Sequence, residues 1–222
     1  TKNLALKVGI NHKKINIIFP GIYKPRNIEN IFKIKADNIF ENAFPKIITV
    51  SRMDKRKGHD KILMTIKNLK AKFPKIKYVS IGHGQEEENI LKLTKELNLE
   101  KNVIFLKNID LNLKNSLLSC SDLFIMPSRI EKKSVEGFGI SFIEAASYGT
   151  ASIGGKDGGE SDAIMHKQTG LICDGNNLTS IYDSVISFFH NDDYIKFGKN
   201  AKDFSEQFYW DKVVKKYLKL IN

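Results

Sequence analysis

Apolar residues in this chain gather into short runs separated by longer amphipathic stretches, with a regular beat from Lys46 onward. The compact runs at 47–51, 78–81, 103–106, 123–126, 151–153 and 171–173 predict strands. Between them, 59–73, 86–97, 113–119 and 142–148 carry helical spacing, and three further helices are expected at 178–189, 194–206 and 210–220. Strands alternating with helices specify βαβ units. The predicted fold class is therefore α/β, a Rossmann-like parallel sheet with helices on both faces. Such sheets take ligands at the carboxyl ends of their strands.

Before Lys46 the beat is missing. Residues 4–9 have helical character, 15–19 form an apolar run expected as a buried strand, and Pro20-Gly21 breaks it. With 222 residues the chain can bury a core, as one α/β domain or two smaller ones. No apolar run approaches the ~20 residues of a membrane span. Cys120 and Cys173 stand far apart in apolar settings, which points to a reduced, cytoplasmic protein rather than a disulfide scaffold.

The net charge of +11 suggests an anionic ligand or surface, including peripheral contact with the inner face of a membrane. Lysine is spread along the whole chain, and no basic block interleaved with aromatics forms a nucleic-acid stripe. Nucleic acid is therefore not an expected partner. The histidines lack zinc-ligand spacing and no Asp-x-Asp occurs, so no metal is expected. Hydrolase logic finds no Gly-x-Ser-x-Gly.

The densest candidate chemistry lies in Val135-Glu136-Gly137-Phe138-Gly139-Ile140-Ser141-Phe142-Ile143-Glu144-Ala145-Ala146. Gly137 and Gly139 let the backbone turn sharply beside a ligand, and Ser141 reads as the N-cap of a short helix closed by Gly149. Amides and a helix N-terminus there could hold an anion, with Glu136 on one side and Glu144 on the other. Ser141-x-x-Glu144 is equally a capping box, in which Glu144 folds back on the Ser141 amide and holds nothing else.

After the first strand comes Ser51-Arg52-Met53-Asp54-Lys55-Arg56-Lys57-Gly58, which crowds cations at a helix entrance where the macrodipole disfavours them. A bound phosphate would relieve that cost. Arg52 and Lys57 flank the turn and are expected to make the contact; Lys55 and Arg56 are expected to be solvated. Gly82-His83-Gly84 is too short for a dinucleotide fingerprint and predicts a tight strand-to-helix turn. The cluster from Gly154 to Glu160 is expected as a glycine-rich ligand loop, or a flexible turn, after the fifth strand.

In this order the pieces resemble the C-terminal half of GT-B-fold, retaining nucleotide-sugar glycosyltransferases, the group 1 family. The resemblance rests on Val50-Ser51-Arg52 with Lys57-Gly58, Ile81-Gly82-His83-Gly84, and the segment from Ser121 to Ser128. It continues through Glu136-Gly137-Phe138-Gly139-Ile140, Glu144-Ala145, Gly158-Gly159-Glu160 and Thr169-Gly170-Leu171. Each motif is weak alone; the ordered set is specific and runs from about Ile15 onward.

The resemblance implies that Arg52 and Lys57 bind the donor diphosphate, Glu136 the donor sugar and Glu144 the ribose. The backbone of Gly139, Ile140 and Ser141 would complete the contacts, with Gly82 among the donor-site positions. The donor would be GDP- or UDP-linked, the acceptor a glycan or lipid-linked glycan, and the setting bacterial surface-polysaccharide assembly. A non-catalytic nucleotide-binding module is the alternative. Two departures stand out. Residues 129–135 lengthen the loop before Glu136 and make Glu131 a rival for its role. The acceptor domain of the fold is also missing: 1–23 read as its remnant and hinge, 24–207 as the donor domain and 208–222 as the cross-over helix. The expectation is a fragment or split subunit, with its first strand and last helix exposing Ile17, Ile18, Trp210 and Tyr217.

Overall fold

All six apolar runs are strands of one parallel sheet in a computed structural model that describes residues 6–221. After α1 (Asn30–Phe40), five strands alternate with helices: β1 (Lys46–Val50), α2 (His59–Leu69), β2 (Lys77–Ile81), α3 (Glu87–Glu96), β3 (Val103–Leu106), α4 (Leu111–Cys120), β4 (Leu123–Met126), α5 (Ile140–Ser147) and β5 (Ser152–Gly155). The short α6 (Glu160–Ala163) precedes β6 (Gly170–Cys173), and α7 (Leu178–Phe188), α8 (Asp193–Ser205) and α9 (Trp210–Ile221) follow. The strand order is β3-β2-β1-β4-β5-β6, the doubly wound Rossmann order.

Alternate residues of each strand feed opposite cores. Ile47, Tyr78, Leu123 and Ile125 pack with Ile62, Leu63, Ile66, Ile90, Ile181, Val185 and Phe188 of α2, α3 and α7. Ile48, Val79, Phe124 and Met126 pack on the other side with Ala36, Phe40, Leu117, Leu118, Phe142 and Ile143 of α1, α4 and α5. With both faces covered, the strands need no polar side, which is why they read as continuous apolar runs.

Three expectations are corrected. The run at 15–19 is not a strand: Ile17 is half-exposed, and Phe19 instead stacks on Phe138 with centroids 4.5 Å apart. Among the described residues no strand pairs with it; the nearest ladder contact is the single bridge between Ile22 and Tyr209. Helix α1 escaped notice because its apolar residues are split, with Ala36 and Phe40 buried but Ile31 and Ile34 exposed. The glycine cluster begins inside β5 rather than after it, since Gly154 and Gly155 pair with Ile172 and Cys173. The helical expectation for 4–9 falls partly outside the described residues, of which Leu6 and Lys7 are helical. Among the described residues no helix is long and apolar enough to cross a membrane.

Candidate functional site

The strand order reverses between β1 and β4, where connections from the two strands diverge to opposite faces and leave a crevice at their carboxyl ends. The segments leaving those strands carry the predicted site residues. The β1 exit makes a tight turn over Lys55–Lys57 that enters α2 through Gly58. The β4 exit runs past Ser128 and Arg129 to Glu136 and α5.

These two segments are bound to each other by charge. One carboxylate oxygen of Glu136 accepts from Arg56 Nη1 at 2.7 Å and also from Lys57 Nζ. The three side chains are only about a tenth exposed (14% for Arg56, 9% for Lys57, 10% for Glu136), so the pairing is weakly screened. Burial works to raise the Glu136 carboxyl, but hydrogen bonds and charge from Lys57 and Arg56 overcome it and hold the acid below its ordinary range. Burial pulls the Lys57 ammonium below its usual value, against the pull of Glu136.

Arg56 was expected in solvent; it is instead a buried member of this cluster. The sequence signal was its spacing, since a single turn over Lys55–Lys57 must aim adjacent side chains in different directions. Lys55 is exposed as expected, facing Glu131 at 3.8 Å. Arg52 extends outward with its side chain 72% exposed and meets Asp54 at 3.0 Å. It lines a cavity of about 500 Å³ with Arg56, Lys132 and Lys133, adjacent to the cluster but not part of it.

Several positioning contacts had no signal in the sequence because their partners lie far apart in it. Arg129, only 6% exposed, forms two parallel hydrogen bonds with Asp60 at 2.9 and 3.0 Å. Its amide donates to the Arg56 carbonyl at 2.9 Å. His59 is buried under the β1 turn, with Nε2 3.1 Å from Ser51 Oγ and Nδ1 3.2 Å from the Tyr78 hydroxyl. Burial lowers its pKa to about 4, so the ring is neutral and structural. Gly82 marks the end of β2, where its backbone backs directly onto the Ser51 carbonyl.

Helix α5 starts two residues earlier than expected. Gly139, not Ser141, is the N-cap, at φ 78°, a left-handed conformation that glycine adopts without strain. A side chain there would also press on the Phe142 ring. Ile140 and Ser141 are thus the first helical residues, and their amides have no carbonyl one turn back to bond. The capping box is absent. Glu144 points away from Ser141 and pairs with Lys114 of α4 at 2.9 Å. It lines a separate groove of about 470 Å³ with Arg26, Tyr148 and Trp210. The fold thus unites Lys57, Arg56 and Glu136, holds Gly139 to Ser141 beside them on the same loop, and keeps Glu144 on its own groove.

A sheet in this order, with a cationic turn and a glycine-capped helix at the switch point, defines the Rossmann-like half of the GT-B fold. Residues 30–206 match the family model for "Glycosyl transferases group 1", and the chain belongs to that family. Among its relatives is a GDP-mannose-dependent alpha-(1-6)-phosphatidylinositol monomannoside mannosyltransferase of Mycobacterium tuberculosis, 27% identical over 176 residues. That match covers 78% of this chain and 46% of the relative, so the chain spans about half the length of that protein. Among solved structures, a glycosyltransferase from Rickettsia africae superimposes with a TM-score of 0.82 at 21% identity, over 99% of this chain and 60% of that one. Anabaena HepE in complex with UDP-glucose gives 0.82 at 17% identity with the same coverage.

Proposed function

We propose that this chain is the donor-binding unit of a retaining glycosyltransferase that uses a nucleotide-diphospho-sugar. The observation that carries the proposal is the buried triad of Lys57, Arg56 and Glu136 at the switch point, beside the glycine-capped start of α5. A diphosphate entering here meets two desolvated cations and free helix amides, the donors needed as the leaving group gains charge. The cluster supplies the charge neutralisation that a divalent ion gives elsewhere. Exchange of Lys57 and Arg56 onto phosphate would free Glu136 to accept from sugar hydroxyls, and a ribose extending into the separate groove would meet Glu144. Arg52 is exposed and free to swing toward the outer phosphate.

A UDP- or GDP-linked donor is supported by the UDP-glucose complex and the GDP-mannose-dependent relative. The name of that relative also supports a glycan or glycolipid acceptor. We further propose surface-glycan assembly at the cytoplasmic side of a membrane as its setting. A partner domain would supply the other wall of the cleft; the half-exposed Trp210, Tyr217 and Leu218 along α9 suit such a contact. Calorimetry with UDP-glucose, GDP-mannose and the bare nucleosides, each with and without a chelator, tests the proposal. Chelator-insensitive binding of one nucleotide sugar, at least tenfold tighter than its nucleoside, is expected. Equal affinity for nucleoside and nucleotide sugar would overturn the phosphate site.

A further inference from the structure

Beneath the Glu136 loop lies a second acid that the donor site does not use. Glu160, the first residue of α6, is fully buried, and both its carboxylate oxygens lack a hydrogen-bond partner among the described residues. The Ser128 hydroxyl, which faces it from the β4 exit and favours its ionised form, is buried and makes no well-formed hydrogen bond. Only the thickness of a glycine separates this acid from the site. A Cβ at Gly158 would collide with Glu160 Oε2 while standing 2.9 Å from both Glu136 Cβ and the Glu136 carbonyl. The next amide, Gly159, donates to that same carbonyl at 3.0 Å.

A buried carboxyl without a cation of its own keeps its proton until deprotonation gains a partner. The charged groups felt at Glu160 are Glu136 from the loop above and Lys57 from the β1 turn, with Arg56 reached through Glu136. Cys173, on β6, is a thiol whose ionisation is opposed first by burial, then by Asp174 and Glu160. Burial raises Glu160 to about 7, Glu136 adds to the shift and Lys57 opposes it. Near neutral pH the acid is thus poised between two states. Ionised, it adds a negative charge behind the Glu136 loop; protonated, it adds none.

We propose that Glu160 is a positioning residue whose proton is coupled to the occupancy of the donor site across Gly158, so that diphosphate binding is accompanied by uptake of a proton from solvent. This rests on the donor-site assignment made above. An incoming diphosphate adds negative charge beside an acid that has no partner, and a like charge disfavours its ionised form. Linkage then requires the donor to bind more tightly as pH falls from 8 to 6.

Calorimetry of UDP-glucose and GDP-mannose binding, in buffers of differing ionisation enthalpy, measures this directly. Nucleotide sugars carry a diphosphate diester that does not itself titrate near neutrality. The wild type is expected to take up roughly half a proton per donor at pH 7 and almost none at pH 5.5. Glu160→Gln should bind with little proton uptake and a flat affinity between pH 6 and 8, while His83→Gln, which alters the imidazole on the neighbouring turn, should retain the wild-type uptake. If Glu160→Gln does not fold, carboxyl-carbon NMR of the wild type at pH 7 should show a buried glutamate moving to its protonated shift on donor addition. Binding with no proton uptake, or with equal uptake in wild type and Glu160→Gln, overturns the proposal while leaving the donor site standing. Binding of neither nucleotide sugar overturns both.

Discussion

Arg56 Nη1 lies 2.7 Å from Glu136 Oε2, joining the turn after β1 to the loop after β4 across the switch point of the sheet. Lys57 shares that oxygen. The chain therefore holds two largely buried cations on an internal anion. A ligand that replaces this anion need not pay for desolvating them.

Arg56→Ala should weaken nucleotide-diphosphate binding by about 1.5–3 kcal/mol, the range for a hydrogen bond to a charged group. Lys57→Ala should do likewise, whereas Lys55→Ala should change affinity by less than about 0.5 kcal/mol because Lys55 is exposed. Titration with a nucleoside diphosphate and with the bare nucleoside separates the effects. Equal losses for both ligands would show that these cations do not touch phosphate.

Glu144 makes no capping box, so Glu144→Gln should leave stability within about 0.5 kcal/mol of wild type, as for other sites away from structural contacts. The partly exposed pair with Lys114 is a weak contributor. If Glu144 accepts from the ribose diol, the same change should weaken nucleotide binding by about 1–3 kcal/mol. Paired urea melts and calorimetry check this, and unchanged nucleotide affinity would remove Glu144 from the site.

Arg129→Lys keeps the charge but cannot reproduce two parallel hydrogen bonds to Asp60. The expected loss is about 1–2 kcal/mol of stability, discounted because Asp60 is partly exposed. The main-chain amide of Arg129 donates to the Arg56 carbonyl, so loosening this segment by loss of the Asp60 contacts should lower diphosphate affinity several-fold. A stability loss without any change in affinity would confine Arg129 to the fold.

The pH dependence of stability should show two opposed groups. Burial raises Glu160 from 4.5 to about 7, so the stability it contributes is full below 4.5 and lost as pH rises through 7. Burial lowers His59 from 6.5 to about 4, so its contribution is present above 6.5 and lost as pH falls toward 4. Between these limits each changes stability by up to about 1.4 kcal/mol per pH unit, in opposite directions. The wild type should therefore be nearly flat from pH 6.5 to 5, and Glu160→Gln should lose stability steeply over that interval. Urea unfolding at three pH values across it is the check; parallel curves would mean Glu160 is not held protonated.

The sequence by itself determined the βαβ alternation, because a sheet covered on both faces leaves strands with no polar side and helices with one polar face. It also marked the two segments that meet at the switch point, since Gly58 and Gly139, both at positive φ, stand where the chain must turn into helices. What it could not determine was which charges meet. Arg56 and Glu136 are 80 positions apart, and Arg129 and Asp60 are 69 apart. Only the crossing from β1 to β4 brings each pair into contact. Arg56 looked like a surface residue because its burial comes from another segment, not from its neighbours in the chain. Ser141 looked like an N-cap because its side chain suits one; the left-handed turn at Gly139 began the helix sooner and left that oxygen no capping position. Ile15 to Phe19 had the composition of a strand, but a strand needs a partner edge, and the tertiary structure placed aromatic rings there instead.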